Sequence, residues 1–162
     1  MMLYVTWPQH TEMEHEFILH YFPFFIIIFW ILACFILSKL GGWYKISQNY
    51  PVLQVDTDEV ETFDFQSLKL GKFIDYNSCI TMQITKEGIL MKVLPIFKIM
   101  HPPFFIKYSE IENATIDNFY GFKTMTCYVR GRKMQFMGPC VQSLNTKLSK
   151  DEIVVKPKME IV

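Results

Sequence analysis

Hydrophobic positions in this chain first run together, then alternate, then return to a helical stripe. Between residues 17 and 37 the stretch FILHYFPFFIIIFWILACFIL contains no Asp, Glu, Lys or Arg. At about 1.5 Å of rise per residue, a helix of this length covers roughly the 30 Å core of a bilayer. A single transmembrane helix is therefore expected over 17–37. Thr11, three residues before Glu14, matches a capping box for its start. Gly41 and Gly42 can take the left-handed conformation that ends it, with Lys39 near the negative end of its dipole. Pro23 removes a backbone donor inside the span and can bend it, with His20 close to one turn before.

After the glycines comes WYKISQNYP, where Trp43, Ile46 and Tyr50 recur at helical spacing and Pro51 stops the helix. Two readings stand. The piece can lie along the inner leaflet, with Trp43, Tyr44 and Lys45 among the headgroups, or it can be a linker helix packed on the domain that follows. From Val52 to Glu61 the chain is acidic and aperiodic, as expected of a tether.

Beyond residue 62 the period becomes two. TFDFQSLKL places Phe63 and Phe65 on one face, and CITMQIT sets Ile80, Met82 and Ile84 against polar neighbours. KEG, residues 86–88, reads as a hairpin turn in which Gly88 supplies a positive φ, and ILMKVL is its partner strand, interrupted by Pro95. Pro102 and Pro103 mark the start of a strand, FFIKYSEI, with Phe104, Ile106 and Tyr108 on one side. His101 is then a corner residue that serves the fold, and its replacement by Ala is expected to be mild. A second hairpin joins FKTMTCYV to KMQFM across Arg130, Gly131 and Arg132. Gly138 and Pro139 open a last helix with Val141, Leu144 and Leu148 as its apolar stripe.

The expected fold class is one N-terminal transmembrane α-helix followed by a mainly-β barrel of about seven antiparallel strands with one C-terminal α-helix. That order of elements is that of a pleckstrin-homology-like (PH-like) barrel, in which the helix plugs an open end. Five regions follow: an acidic extracytoplasmic tail, 1–16; the span, 17–37; an interfacial segment and tether, 38–61; the PH-like β domain, 62–150; and a C-terminal tail, 151–162, with no pairing partner visible in sequence.

Composition changes this picture little: hydrophobic residues make up 51% of the 162, while Lys plus Arg and Asp plus Glu balance at 16 each. The apolar excess is gathered in the span, and a near-neutral domain argues against nucleic-acid binding. A cleavable signal peptide is disfavoured, because Glu12, Glu14 and Glu16 precede the apolar run where basic residues are needed. Lys39 and Lys45 follow the span and no Lys or Arg precedes it, so the positive-inside rule puts the N-terminus outside and the C-terminal domain in the cytoplasm. Cys34, Cys79, Cys127 and Cys140 form no CxxC pair, and reduced, buried thiols are expected.

Candidate chemistry is sparse. There is no nucleophile elbow, no phosphate-binding glycine loop and no paired metal-ligand motif in the domain. His101 would need Ser109 or Cys79 as a nucleophile, and neither lies in a motif that brings them together. Glu12, His15, Glu16 and His20 fall near one helical face and are the residues of an alternative reading, a small membrane enzyme or metal- or ion-handling component. Basic residues gather at Lys86 and Lys92, at Lys98, and at Arg130, Arg132 and Lys133. A domain tethered close to anionic headgroups can be oriented by such residues. Trp43, Tyr44, Lys45, Arg130, Arg132 and Lys133 are accordingly the candidate membrane-surface contacts.

The succession GGWYKISQNYP, then YNSCITMQITKEGILMKVLPIFKIMHPPFFIKYSEI, resembles a group of uncharacterised bacterial single-pass membrane proteins with a compact β domain. The match covers residues 41–111. In that group a Gly-Trp segment ends in Tyr-Pro, and a His-Pro-Pro turn leads into a strand ending in an aromatic, Ser and Ile. The resemblance implies architecture and no activity, cofactor or catalytic residue. The reading is thus a non-enzymatic interaction or scaffold module in the cell (inner) membrane, with no cofactor. Its expected partners are anionic inner-leaflet lipids and an unidentified protein. The last helix lacks a Trp, and Lys69 and Lys72 do not complete a basic phosphoinositide signature.

Overall fold

The computed structural model describes residues 10–52, 60–71, 74–119, 121–150 and 156–157. It forms two compact units, Met1–Ala33 and Cys34–Val162. Helix α1, His10–Leu40, is assigned without a break through Pro23. Thr11 therefore lies inside the helix and is not its cap, because His10 is already helical. Within α1, His20–Leu40 has a mean hydropathy of 2.4 and is long and apolar enough to cross a membrane. Phe24, Phe25, Ile28 and Phe29 are all exposed.

The end of α1 follows the expected glycine stop. Gly41 N–H donates to Leu37 O at 2.8 Å and Gly42 N–H to Lys39 O at 3.3 Å, while Gly42 has φ 74°. That left-handed residue tightens the last turn and redirects the chain at little steric cost. Helix α2, Trp43–Asn49, starts at once.

The β unit is built from β1 (Glu61–Leu70), β2 (Ile74–Ile84), β3 (Gly88–Val93), β4 (Phe104–Lys107), β5 (Ile111–Phe119), β6 (Phe122–Val129) and β7 (Arg132–Met137). Helix α3, Cys140–Lys150, and the two-residue β8, Lys156–Pro157, complete it. The sheet order is β4-β3-β2-β1-β7-β6-β5-β8. Strands β1 to β7 pair antiparallel and curl into a half-barrel, closed by α3, which is a PH-like arrangement. Val141, Leu144 and Leu148 of α3 are fully buried, as their helical spacing predicts. They meet Ile80, Met82 and Ile84 of β2, Met91 of β3, Phe104 and Ile106 of β4, and Phe136 of β7 in one core.

Three local expectations are corrected. Phe65 is 66% exposed, and the inward residues of β1 are Gln66, Leu68 and Leu70. A register shift lies between Phe63 and Gln66, and Phe65 itself has φ 56°. An irregularity of this kind adds a residue on one strand and breaks the alternation that sequence parity assumes. Gly88 is not among the positive-φ residues; a β-carbon there would lie 2.1 Å from Ile106 O, so the glycine is needed for the close approach of β4. The turn is instead organised by Thr85, whose Oγ1 accepts from Glu87 N–H and Gly88 N–H. In the tail, Lys156 and Pro157 do have a partner, pairing parallel with Thr115 and Ile116 on the outer edge of β5.

The opposite edge is covered from within as well. Phe105 N–H donates to Tyr50 O at 3.0 Å, and Pro51 bridges Phe104. The expected tether, Val52 to Glu61, lies largely outside the described residues.

Candidate functional site

The β6–β7 hairpin carries the densest group of basic residues. Val129 pairs with Arg132, leaving Arg130 and Gly131 as a two-residue turn with φ 48° and 71°. Positive φ at both positions matches the twist of the flanking strands. The consequence is that Arg132 and Lys133 are strand residues, Lys133 opposite Tyr128. Gly71 N–H donates to Lys133 O at 3.0 Å, which pins the end of β1 beside the hairpin.

An open cleft of about 620 Å³ lies between these elements, lined by Leu40, Gly41, Leu70, Gly71, Tyr128 and the hairpin residues Arg130, Arg132 and Lys133. Its walls therefore come from the end of α1, the β1–β2 connection and the β6–β7 turn. Leu40 is 71% exposed at the rim.

The cations differ in their engagements. Arg132 Nη1 donates to Gly42 O at 3.3 Å, reaching the terminus of α1. A β-carbon on Gly42 would fall 1.7 Å from that nitrogen, so the glycine admits the guanidinium. Arg130 Nε lies 3.8 Å from Glu110 Oε2, and its guanidinium stands 5.2 Å from the Tyr50 ring. Tyr50 in turn donates to Glu110 Oε2 at 3.1 Å. Burial, then this bond to a carboxylate, raises the Tyr50 pKa. Such a site can hold an anion beside an apolar rim, with Arg130 already partly neutralised by Glu110.

The structure brings Arg130, Arg132 and Lys133 together and adds Leu40, Gly41 and Gly71, which nothing in the sequence places beside the hairpin. Trp43 does not join them. It has 0% exposure, its Nε1–H donates to Pro102 O at 2.8 Å, and it stacks edge-on against Phe104 at 4.7 Å. Of the two readings of α2, packing on the β unit is the one its buried Trp43 and Ile46 fulfil, because these apolar positions face the core. Tyr44 is half-buried and carries Lys39 Nζ 3.7 Å from its ring centre, whereas Lys45 is exposed. Lys86 and Lys98 are exposed and do not line the cleft, nor does Lys92, which donates to Gln83 Oε1 at 3.0 Å.

His101 is 3% exposed, a core residue in place of a surface corner. Its Nδ1 lies 3.0 Å from Ile99 O and its Nε2 3.4 Å from the Tyr76 hydroxyl. Burial holds its pKa below the ordinary range, against the opposing pull of the Ile99 and Phe97 carbonyls. Neither Ser109 nor Cys79 is among these partners. Glu12, His15 and Glu16 have side chains outside the described residues, and His20 packs against Tyr21 with ring centres 5.8 Å apart. No group of His, Cys, Asp or Glu able to hold a metal occurs among the described residues.

No family model matches the chain, and no curated protein matches it. Among solved structures it is similar to the Vps36 N-terminal PH domain, with 8% identity over 60% of this chain and 85% of that chain and a TM-score of 0.45.

Proposed function

We propose that this chain is a membrane-anchored, non-enzymatic interaction module whose β unit contacts anionic headgroups through the hairpin cleft. The observation that carries this reading is the convergence of Arg130, Arg132 and Lys133 on a cleft rimmed by Leu40 and Gly41. Those two rim residues lie three and four positions beyond the apolar stretch 17–37 in sequence. Each basic residue near an anionic leaflet contributes about 1 kcal/mol. Two or three acting together suffice to orient a tethered domain. Specific recognition of one headgroup would need more fixed donors than the described cleft supplies.

Residues 17–37 are the membrane span in this reading. The wide exposure of Phe24 to Phe29 supports it, because apolar surface of that extent is unfavourable in water and suited to lipid. Lys39 and Lys45 on its C-terminal side favour an N-terminus outside the cell membrane and residues 62–150 in the cytoplasm, as in bacterial single-pass proteins. Tyr44 and Lys45 are added contacts. An unidentified protein is the second partner, met through the loops and edges by which small barrels recruit.

Hydrogen exchange of the full chain in nanodiscs tests the reading. Amides of residues 128–133 should exchange more slowly in anionic than in neutral discs, and the difference should vanish at high salt. Equal exchange in both discs at low salt would contradict it.

A further inference from the structure

The connection between β3 and β4, residues 94–103, lies against the end of α1. Ser38 Oγ donates to Met100 O, and Tyr76, whose ring packs on His101 of this corner, donates to Leu37 O at 3.3 Å. Ser38 and Cys34, one helical turn apart, are buried, whereas Leu37 is exposed. One side of the helix end is covered and the other open. The corner turns apolar side chains outward at this level. Ile96 is 62% exposed and Ile99 42%, with exposed Lys98 between them. Its backbone is engaged internally. Phe97 N–H donates to Leu94 O at 2.9 Å, Lys98 N–H to Pro95 O at 3.2 Å and His101 N–H to Lys98 O at 3.1 Å. His101 Nδ1 lies 3.0 Å from Ile99 O, and Trp43 binds Pro102 O. Pro95, Pro102 and Pro103 have no N–H to satisfy. Met100 holds a left-handed φ of 61°, a costly conformation that persists where neighbours fix it, here at the residue bound to Ser38.

We propose that this corner is a lipid-contacting wedge, in which Ile96 and Ile99 enter the apolar edge of the leaflet that α1 leaves and the Lys98 ammonium stays among the phosphates. The inference rests on reading residues 17–37 as the membrane span. It goes beyond the hairpin cleft because its driving force is apolar. Ser38 is one residue past that stretch. At about 1.5 Å of rise per residue it lies within a headgroup layer of roughly 5–7 Å. Met100, hydrogen-bonded to Ser38, is carried to the same depth. Isoleucines three positions apart around a lysine suit that boundary, since the apolar groups can point toward the acyl chains while the lysine stem reaches back to the phosphates. A backbone whose polar groups are already bonded loses little on leaving water. Burial of the isoleucines follows the apolar area removed from water, so the contact needs no anionic lipid and resists salt. It also fixes which side of the β unit faces the leaflet.

The test uses the full chain with Cys79→Ala in nanodiscs of neutral phosphatidylcholine. Cys34, Cys127 and Cys140 are buried, so an environment-sensitive fluorophore goes to an introduced thiol: Ile96→Cys, Ile99→Cys, Ile27→Cys or Phe122→Cys, each in its own chain. Lipids carrying a nitroxide high or low on the acyl chain then quench by depth. Ile27→Cys reads the span, and Phe122→Cys is the water reference, 72% exposed at the end of β6 away from Arg130. The labels of Ile96→Cys and Ile99→Cys should emit to the blue of the Phe122→Cys label. They should be quenched most by the shallow nitroxide, at low and high salt alike, while the Ile27→Cys label is quenched most by the deep one. Corner labels that behave like the Phe122→Cys label while the Ile27→Cys label is quenched would overturn the wedge and leave the span standing. An unquenched Ile27→Cys label would overturn the span and the wedge with it. Corner quenching that high salt abolishes would show a contact held by charge and overturn the apolar wedge. If one corner variant does not fold, the other decides alone.

Discussion

A β-carbon on Gly88 would stand 2.1 Å from the carbonyl oxygen of Ile106 across the β3–β4 pair. Backbone occupies that space, so no side-chain rotation relieves the contact. Gly88→Ala should therefore cost about 1–3 kcal/mol by forcing β4 away from β3. Gly131→Ala meets nothing within 4 Å but must hold φ 71°. Its cost should be about 1–2 kcal/mol, purely conformational. Urea titration of the full chain in micelles compares them, and hydrogen exchange in β4 should rise for Gly88→Ala alone.

Phe104 and Ile106 are 0% and 1% exposed within the core. Phe104→Ala should cost about 3–5 kcal/mol and Ile106→Ala about 2–5 kcal/mol, by cavity formation. His101→Ala should exceed the roughly 0.5 kcal/mol of a surface substitution, because the buried ring it removes packs edge-on against both Trp43 and Tyr76. The same urea titrations measure all three.

The strong periods of the sequence translate directly into structure. Ile80, Met82 and Ile84 alternate inward, and Val141, Leu144 and Leu148 share a buried stripe, because period alone decides which side faces the core. Features that depend on three dimensions are not legible. Phe65 faces out because a register shift breaks parity, and Trp43 is claimed by the distant Pro102 carbonyl instead of a headgroup. Of the cleft, the charges Arg130, Arg132 and Lys133 are visible as a hairpin cluster, whereas Leu40, Gly41 and Gly71 join them only through the approach of two other chain segments. His101 illustrates both halves of this. The prolines beside it mark a strand start, but nothing local signals that the ring enters the core.

Burial pushes the thiols of Cys127 and Cys140 up to about 12 from an ordinary 9.0. Both should resist alkylation in the native chain at neutral pH and react on unfolding, while the half-buried Cys79 reacts first. The unfolded chain gives up these protons at lower pH than the folded one. Their stabilisation is present in full below 9 and is lost as the pH rises from 9 toward 12. Alkaline unfolding curves should move to higher pH in Cys127→Ala relative to the parent chain, each normalised to its neutral stability.

The central claim is that the hairpin cations engage anionic headgroups, and retention of the detergent-solubilised full chain on lipid-coated beads tests it most directly. At low salt the chain should bind anionic beads more tightly than neutral ones. Arg132→Gln with Lys133→Gln should remove about 2 kcal/mol of that preference, or roughly thirtyfold in affinity. Lys86→Gln with Lys92→Gln, outside the cleft, should leave it intact. Undiminished anionic preference in the Arg132 and Lys133 variant, or equal loss from both pairs of substitutions, would contradict the account.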